Sequence, residues 1–208
     1  MVRLDGTILD QPGYDPITRL IYVPSPGFVL PPLPTTPSHA EVQQAATWLQ
    51  TELFPDFPFA LDAYGRPTVS ASKANAMALL LTPILRPAIP GPVPLGVIEA
   101  PQAGTGKTLL ASAIVVATTG HQAAMQAAPR EEAEWRKTLT AILREGAPFC
   151  VLDNVHALWS STLAAALTAP TWTDRLLGST QMLTLPQHTV FLATGNNIEV
   201  GGDLPRRC

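Results

Sequence analysis

The sequence predicts an α/β fold, a parallel sheet with flanking helices, preceded by a smaller proline-rich N-terminal α/β region. Three observations carry this expectation. Short apolar runs at Leu95–Glu99, Phe149–Asp153 and Thr189–Thr194 have the composition of strands buried on both faces. Stretches with helical apolar spacing and helix stop signals lie between the first two of these runs. Proline is uneven: sixteen of the 22 prolines precede residue 100, so turns and extended segments dominate the first half. The expected division is a proline-rich region over 1–90 and a core over 91–208.

Composition bounds the rest. With 46% hydrophobic and 14% charged residues, the chain is globular rather than disordered. A net charge of −3 supplies no bulk basic field for nucleic acid. Two cysteines, Cys150 in an apolar run and Cys208 at the last position, build no disulfide framework and fit a reducing cytoplasm. The first ten residues lack the apolar core of a signal peptide, and the longest apolar run, near Ala76–Leu81, is too short for a membrane span.

In chain order, Leu4–Pro12 and Leu20–Val23 read as short strands around a turn at Gly13–Pro16. Val29–Pro37 is a polyproline-like connector. Ser38 with Glu41 makes a capping box for a helix to about Leu53, with Val42, Ala45, Ala46 and Leu49 on one face. Phe54–Phe59 ends it as a packed aromatic corner, although such a cluster also suits gripping a ligand. A second helix covers Ser72–Leu85, with a kink or early end at Pro83. Arg86–Pro94 is a rigid linker. After Gly120, Ala123–Ala128 reads as a short strand, and Arg130–Gly146 as a helix with Trp135, Leu139, Ile142 and Leu143 on its apolar face and charges on a solvated one.

The chemistry concentrates in Ala100–Thr108, A-P-Q-A-G-T-G-K-T, set between a strand and a helix. That context makes it a candidate phosphate-binding loop formed by Gln102, Ala103, Gly104, Thr105, Gly106, Lys107 and Thr108. The glycines let backbone N–H groups converge on phosphate, and the helix adds its positive end. Lys107 is expected at the β- and γ-phosphates and the Thr108 hydroxyl on Mg²⁺. Pro101 stands where the consensus loop has its first glycine. Asp153, at the end of an apolar strand 45 residues beyond Thr108, is the expected second metal partner. Asn154 follows it; an amide orients water but cannot take its proton. Glu99 is either a substitute base or an anchor at a strand end. The third run ends in Gly195-Asn196-Asn197, where a polar amide on a strand between the other two suits a γ-phosphate sensor. Arg206 and Arg207 are candidates to stabilise transition-state charge. Arg175 reads either as an interface arginine or as a salt-bridge partner of a residue such as Asp174. The histidines lack metal-ligand spacing.

Taken together, A-P-Q-A-G-T-G-K-T, V-L-D-N, A-T-G-N-N and G-D-L-P-R-R resemble the AAA+-type P-loop ATPases of phages and integrated mobile elements, which are similar to superfamily 3 replication helicases. The resemblance, which covers nearly the whole chain, implies an ATP- and Mg²⁺-dependent core with metal held at Asp153, a sensor at Asn196 and arginine fingers among Arg206 and Arg207. It implies a homo-oligomeric ring acting on DNA in replication, without a membrane partner. Two positions depart from the pattern: Pro101, and Asn154 where such ATPases carry Glu. Relatives continue past the arginine pair into a strand and helical lid, so the lid is expected to be missing here. Asn154 keeps open a different class of function, a nucleotide-gated assembly module with little hydrolysis. A small-molecule kinase is disfavoured by the arginine pair.

Overall fold

The computed structural model describes residues 1–61, 71–176, 178 and 180–208. The N-terminal part contains β1 (Gly13–Asp15) paired antiparallel with β2 (Leu20–Tyr22). The expected strand over Leu4–Pro12 does not form; its segment contributes only an isolated bridge between Val2 and Ile8. The reversal falls three residues later than the sequence suggested because Asp15 accepts hydrogen bonds from the Thr18 hydroxyl (2.6 Å) and the Thr18 N–H (3.0 Å). Those bonds, with the Arg3 guanidinium, hold the Asp15 carboxyl well down, at about 2.

Helix α1 (His39–Trp48) begins with the expected capping box, in which Ser38 Oγ accepts from Glu41 N–H and Glu41 accepts from Ser38 N–H. It passes into a π-helical turn, Leu49–Leu53. No residue of α1 is buried and Val42 is half exposed, so of the anticipated apolar face it is Leu49, just past α1, that packs against the core. The chain then enters the aromatic corner. Phe54 is 1% exposed and meets Phe57 and Phe59 edge-on, with centroids 6.4 and 5.9 Å away. Helix α2 (Ala71–Leu85) continues past Pro83, which lies within a turn of its end. A 3₁₀ turn, Arg86–Ala88, follows.

The core is a four-stranded parallel sheet with flanking helices. In chain order come β3 (Gly96–Glu99), α3 (Lys107–Thr119), β4 (Met125–Gln126), α4 (Glu132–Glu145) and β5 (Phe149–Leu158). Then follow α5 (Ser161–Ala166), the antiparallel hairpin β6 (Thr171–Arg175) and β7 (Met182–Pro186), and β8 (Val190–Val200). The strand order is β3-β8-β5-β4, so the last strand of the chain runs between the first and third. Residues 190–195 are buried without interruption, as a central parallel strand requires.

Side-chain alternation assigns the two faces. Val151 and Leu192 meet Ala111 and Val115 of α3, whereas Cys150, Leu152, Phe191 and Ala193 meet Leu139 and Leu143 of α4. One apolar cluster joins Phe54 and α2 residues Ala76 and Leu80 to Leu110 and Ile114 of α3, so packing crosses residue 90. A Cβ on Gly96 would lie 2.6 Å from Leu79 and 2.8 Å from Leu192, and this glycine is what lets α2 close on the sheet.

The hairpin and α5 were not anticipated, and both are tied to α4 by polar contacts. Glu132, expected on a solvated face, instead accepts hydrogen bonds from the N–H groups of Ser161 and Thr162 at the start of α5 (both 3.0 Å). Asp174 of β6 accepts from Arg136 (2.6 Å) and from the Thr140 hydroxyl (3.0 Å), which in turn accepts from Trp172 Nε1 (2.9 Å). The ion pair of Asp174 is therefore with Arg136, not with Arg175, which gives Asp174 only its backbone N–H. Because Asp174 is buried and Arg136 is 58% exposed, the two halves of the pair are unequal. Asp174→Ala removes the acceptor of the buried Thr140 hydroxyl and is expected to cost about 1–3 kcal/mol in chemical denaturation, against less than about 1 kcal/mol for Arg136→Ala. Equal losses would refute this account of the hairpin's attachment.

Candidate functional site

The segment joining β3 to α3 carries two residues in the left-handed region, Gly104 (φ 75°) and Gly106 (φ 83°). Nothing lies within 4 Å of a Cβ on Gly104, so its glycine is demanded by conformation rather than space. Pro101 is accommodated because the loop makes its left-handed turns at 104 and 106. Gly106 caps α3 without a side-chain hydrogen bond. The N-terminal amides of this 13-residue helix are therefore left to the loop. Lys107 folds back across it, donating from Nζ to the Gln102 carbonyl (2.8 Å) and to Thr105 Oγ1 (3.0 Å).

Three elements meet beyond the end of β3, at Asp153 and Thr194, where β5 and β8 do not stop as the sequence suggested but run on to Leu158 and Val200. The Thr108 hydroxyl donates to Asp153 Oδ1 at 2.9 Å, and the Thr194 hydroxyl donates to the same oxygen. Thr194 is 1% exposed and sits on β8, between β5, which carries Asp153, and β3, which leads into the loop before Thr108. Register alone puts it there, because Leu152 pairs with Ala193 one position earlier. Reasoning from sequence missed Thr194. Its one signal was a hydroxyl ending the apolar run V-F-L-A immediately before the glycine.

Beyond Asp153 the β5–β8 ladder shifts register before it resumes at Val155 opposite Gly195. Asn154 takes up the shift in a left-handed conformation (φ 54°), and its N–H donates to Thr194 Oγ1 at 3.4 Å. Asparagine is among the non-glycine residues best suited to that region, whereas Glu would be strained there. The backbone thus favours the amide where the resembling ATPases carry Glu. The close approach also fixes Gly195: a Cβ there would stand 2.0 Å from the Val155 carbonyl oxygen.

The other singled-out residues fall at varying distances from this centre. Asn196 keeps its side-chain oxygen buried with no hydrogen-bond partner, and Asn197 is exposed with φ 47°. Glu99 accepts from Ile198 N–H at 3.1 Å and so anchors the strand end rather than facing the loop. Arg206 and Arg207 lie in a 3₁₀ turn, Leu204–Arg207. The Arg207 carbonyl accepts from Leu95 N–H (2.7 Å), and its guanidinium pairs with Asp203 (2.6 Å). Leu95 precedes β3 and the loop follows it, so about 16 Å of strand separates the Arg207 backbone from the loop of the same chain. No cluster of three or more metal-ligating side chains of the His, Cys, Asp and Glu type occurs among the described residues. None of their helices is long and apolar enough to cross a membrane.

A cavity of about 500 Å³ adjoins Gly104–Gly106, walled opposite by the corner from Glu52 to Pro58. The aromatic cluster is thus both a packed corner, through Phe54, and a wall beside the loop, through Phe57. No protein-family model matches the chain, and no curated protein is similar to it.

Gly195 offers a direct check on the geometry. Gly195→Ala drives a methyl into backbone and should cost about 3 kcal/mol or more in denaturant unfolding. Gly96→Ala meets only side chains that can move, and should cost less. The reverse order would contradict the described approach of β5 to β8.

Proposed function

We propose that the chain binds and hydrolyses ATP with Mg²⁺, as the core of a P-loop, AAA+-like motor domain. Its wider role would be that of a cytoplasmic homo-oligomeric ring acting on DNA, as a helicase, in the replication of a phage or mobile element. The observation that carries the ATPase reading is the contact of Thr108 with Asp153 across an intervening strand. A hydroxyl beside a phosphate-type loop and a carboxylate on a neighbouring strand, brought within hydrogen-bond distance, form the oxygen donor set that Mg²⁺ takes alongside nucleotide phosphates. Bound there, Mg²⁺ would neutralise charge on the β- and γ-phosphate oxygens.

In this reading the backbone of Gln102–Gly106 and the open start of α3 cradle the phosphates. Lys107 leaves the Gln102 carbonyl for the β- and γ-phosphates. Thr194 holds Asp153 in orientation through the shared oxygen. Asn196, with its unpaired amide oxygen, is suited to orienting water near the γ-phosphate. Arg206 and Arg207, distant along β3 from their own loop, would serve the loop of a neighbouring subunit. The DNA partner rests on the resemblance in sequence, since the net charge of −3 supplies no general attraction.

A second reading has its own support. Asn154 cannot accept a proton, and Glu99 already holds a backbone N–H. A nucleotide-gated assembly module that turns over slowly fits those two facts.

Lys107→Ala should weaken ATP binding about 10- to 100-fold by titration calorimetry, the loss of one charge-assisted contact. Unchanged affinity in a folded variant would remove the loop from the account. The two readings separate by mixing. If the arginines act in trans, ATPase activity per chain rises with concentration, and doping with the Arg206→Ala/Arg207→Ala variant depresses it beyond dilution, since a finger contributes a factor on the order of 10³ or more. ATP-dependent assembly with negligible turnover would instead favour the gated module.

A further inference from the structure

The cavity beside the loop presents two kinds of surface that phosphate does not need. Its apolar part is made by Leu109 and Ala113, one turn apart on α3, and by Phe57. Leu109 is 65% exposed, and the Phe57 ring lies 3.8 Å from where a Cβ on Gly106 would sit. Phe57 is held by its ring contacts with Phe54 and Phe59, so the wall is in place before any ligand arrives. The polar part is acidic: Glu52, from the π-helical turn after α1, and Asp56, from the corner.

A carboxylate accepts hydrogen bonds, offers none, and repels phosphate. Whatever adjoins Glu52 and Asp56 must therefore carry donors and no negative charge. Whatever adjoins Phe57 and Leu109 gains most if it is flat and apolar. A nucleoside joined to phosphates in the loop meets both demands, with its base on the apolar surface and its ribose hydroxyls towards the acids. We infer that this cavity is a nucleoside subsite, in which Phe57 and Leu109 hold the base and Glu52 and Asp56 accept from the ribose hydroxyls. The site then selects ribonucleotides over sugars lacking those hydroxyls. The inference rests on the phosphate-loop reading above, and its test keeps the two apart.

The experiment is titration calorimetry with the Mg²⁺ salts of ATP, 2′,3′-dideoxy-ATP and inorganic tripolyphosphate. The parent chain should bind ATP about tenfold more tightly than the dideoxynucleotide, the worth of a hydrogen bond to a charged acceptor. In Glu52→Ala/Asp56→Ala that preference should fall to near one, with tripolyphosphate bound at least as well as before. Phe57→Ala should weaken both nucleotides alike and leave tripolyphosphate unchanged. Leu109→Ser should do the same at an exposed position, so a folding defect at Phe57 does not decide the matter. Equal affinity for ATP and dideoxy-ATP in the parent, or a preference that survives the double substitution, overturns the subsite while the loop stands. Failure of tripolyphosphate to bind overturns the loop reading and the subsite with it.

Discussion

The structure turns on one carboxylate oxygen. Asp153 Oδ1 receives the hydroxyls of Thr108 and Thr194, so that the first turn of α3, the middle of β5 and the neighbouring strand β8 converge on a single atom. That convergence requires the strand order β3-β8-β5: if β8 lay at the sheet edge, β5 would sit directly beside β3 and Thr194 would have no place between them. It also requires the register that puts residue 194 opposite 153, which the buried alternation of 190–195 and 149–152 enforces because a slip of one residue would turn apolar side chains away from both helical layers. The polar centre is thus positioned by apolar packing on either side of it.

The three strands that build the site were legible because strands buried on both faces are written as continuous apolar runs, and each run ends at a polar residue near the site. The loop and α3 were legible for a different reason: Gly104 and Gly106 mark the left-handed positions the turn needs. The β6–β7 hairpin was not. T-W-T-D-R is short and alternating, and its buried Asp174 reads as surface until Arg136, Thr140 and Trp172 are seen around it. The N-terminal turn was misjudged because Asp15 accepts from Thr18, a side-chain contact that moves the reversal past Gly13. Thr194 escaped notice because the neighbouring asparagines looked more like sensors, and only register singles out the hydroxyl.

Asn154 shows how backbone and chemistry compete at one position. The register shift between Leu152 and Val155 demands a left-handed residue directly after the metal-type carboxylate. Asparagine meets that demand at low cost but gives up a base, and Glu99 is committed to the Ile198 N–H. The same register shift therefore explains both the backbone geometry after Asp153 and why turnover there would depend on water held by amides or on arginines supplied from elsewhere. The N-terminal corner adds a second dependence, since Phe54 packs with α2 and α3 while its neighbour Phe57 faces Gly106.

The central claim, that Thr108 and Asp153 form a Mg²⁺ site serving bound nucleotide, is tested most directly by the effect of Mg²⁺ on ATP affinity. Calorimetric dissociation constants measured with Mg²⁺ and with a chelator, in the parent and in Asp153→Ala, give the metal's contribution as a ratio. The account predicts that Mg²⁺ strengthens binding in the parent, and that this gain largely disappears in Asp153→Ala while the affinity in chelator stays the same or improves. An equal gain from Mg²⁺ in both proteins would contradict it.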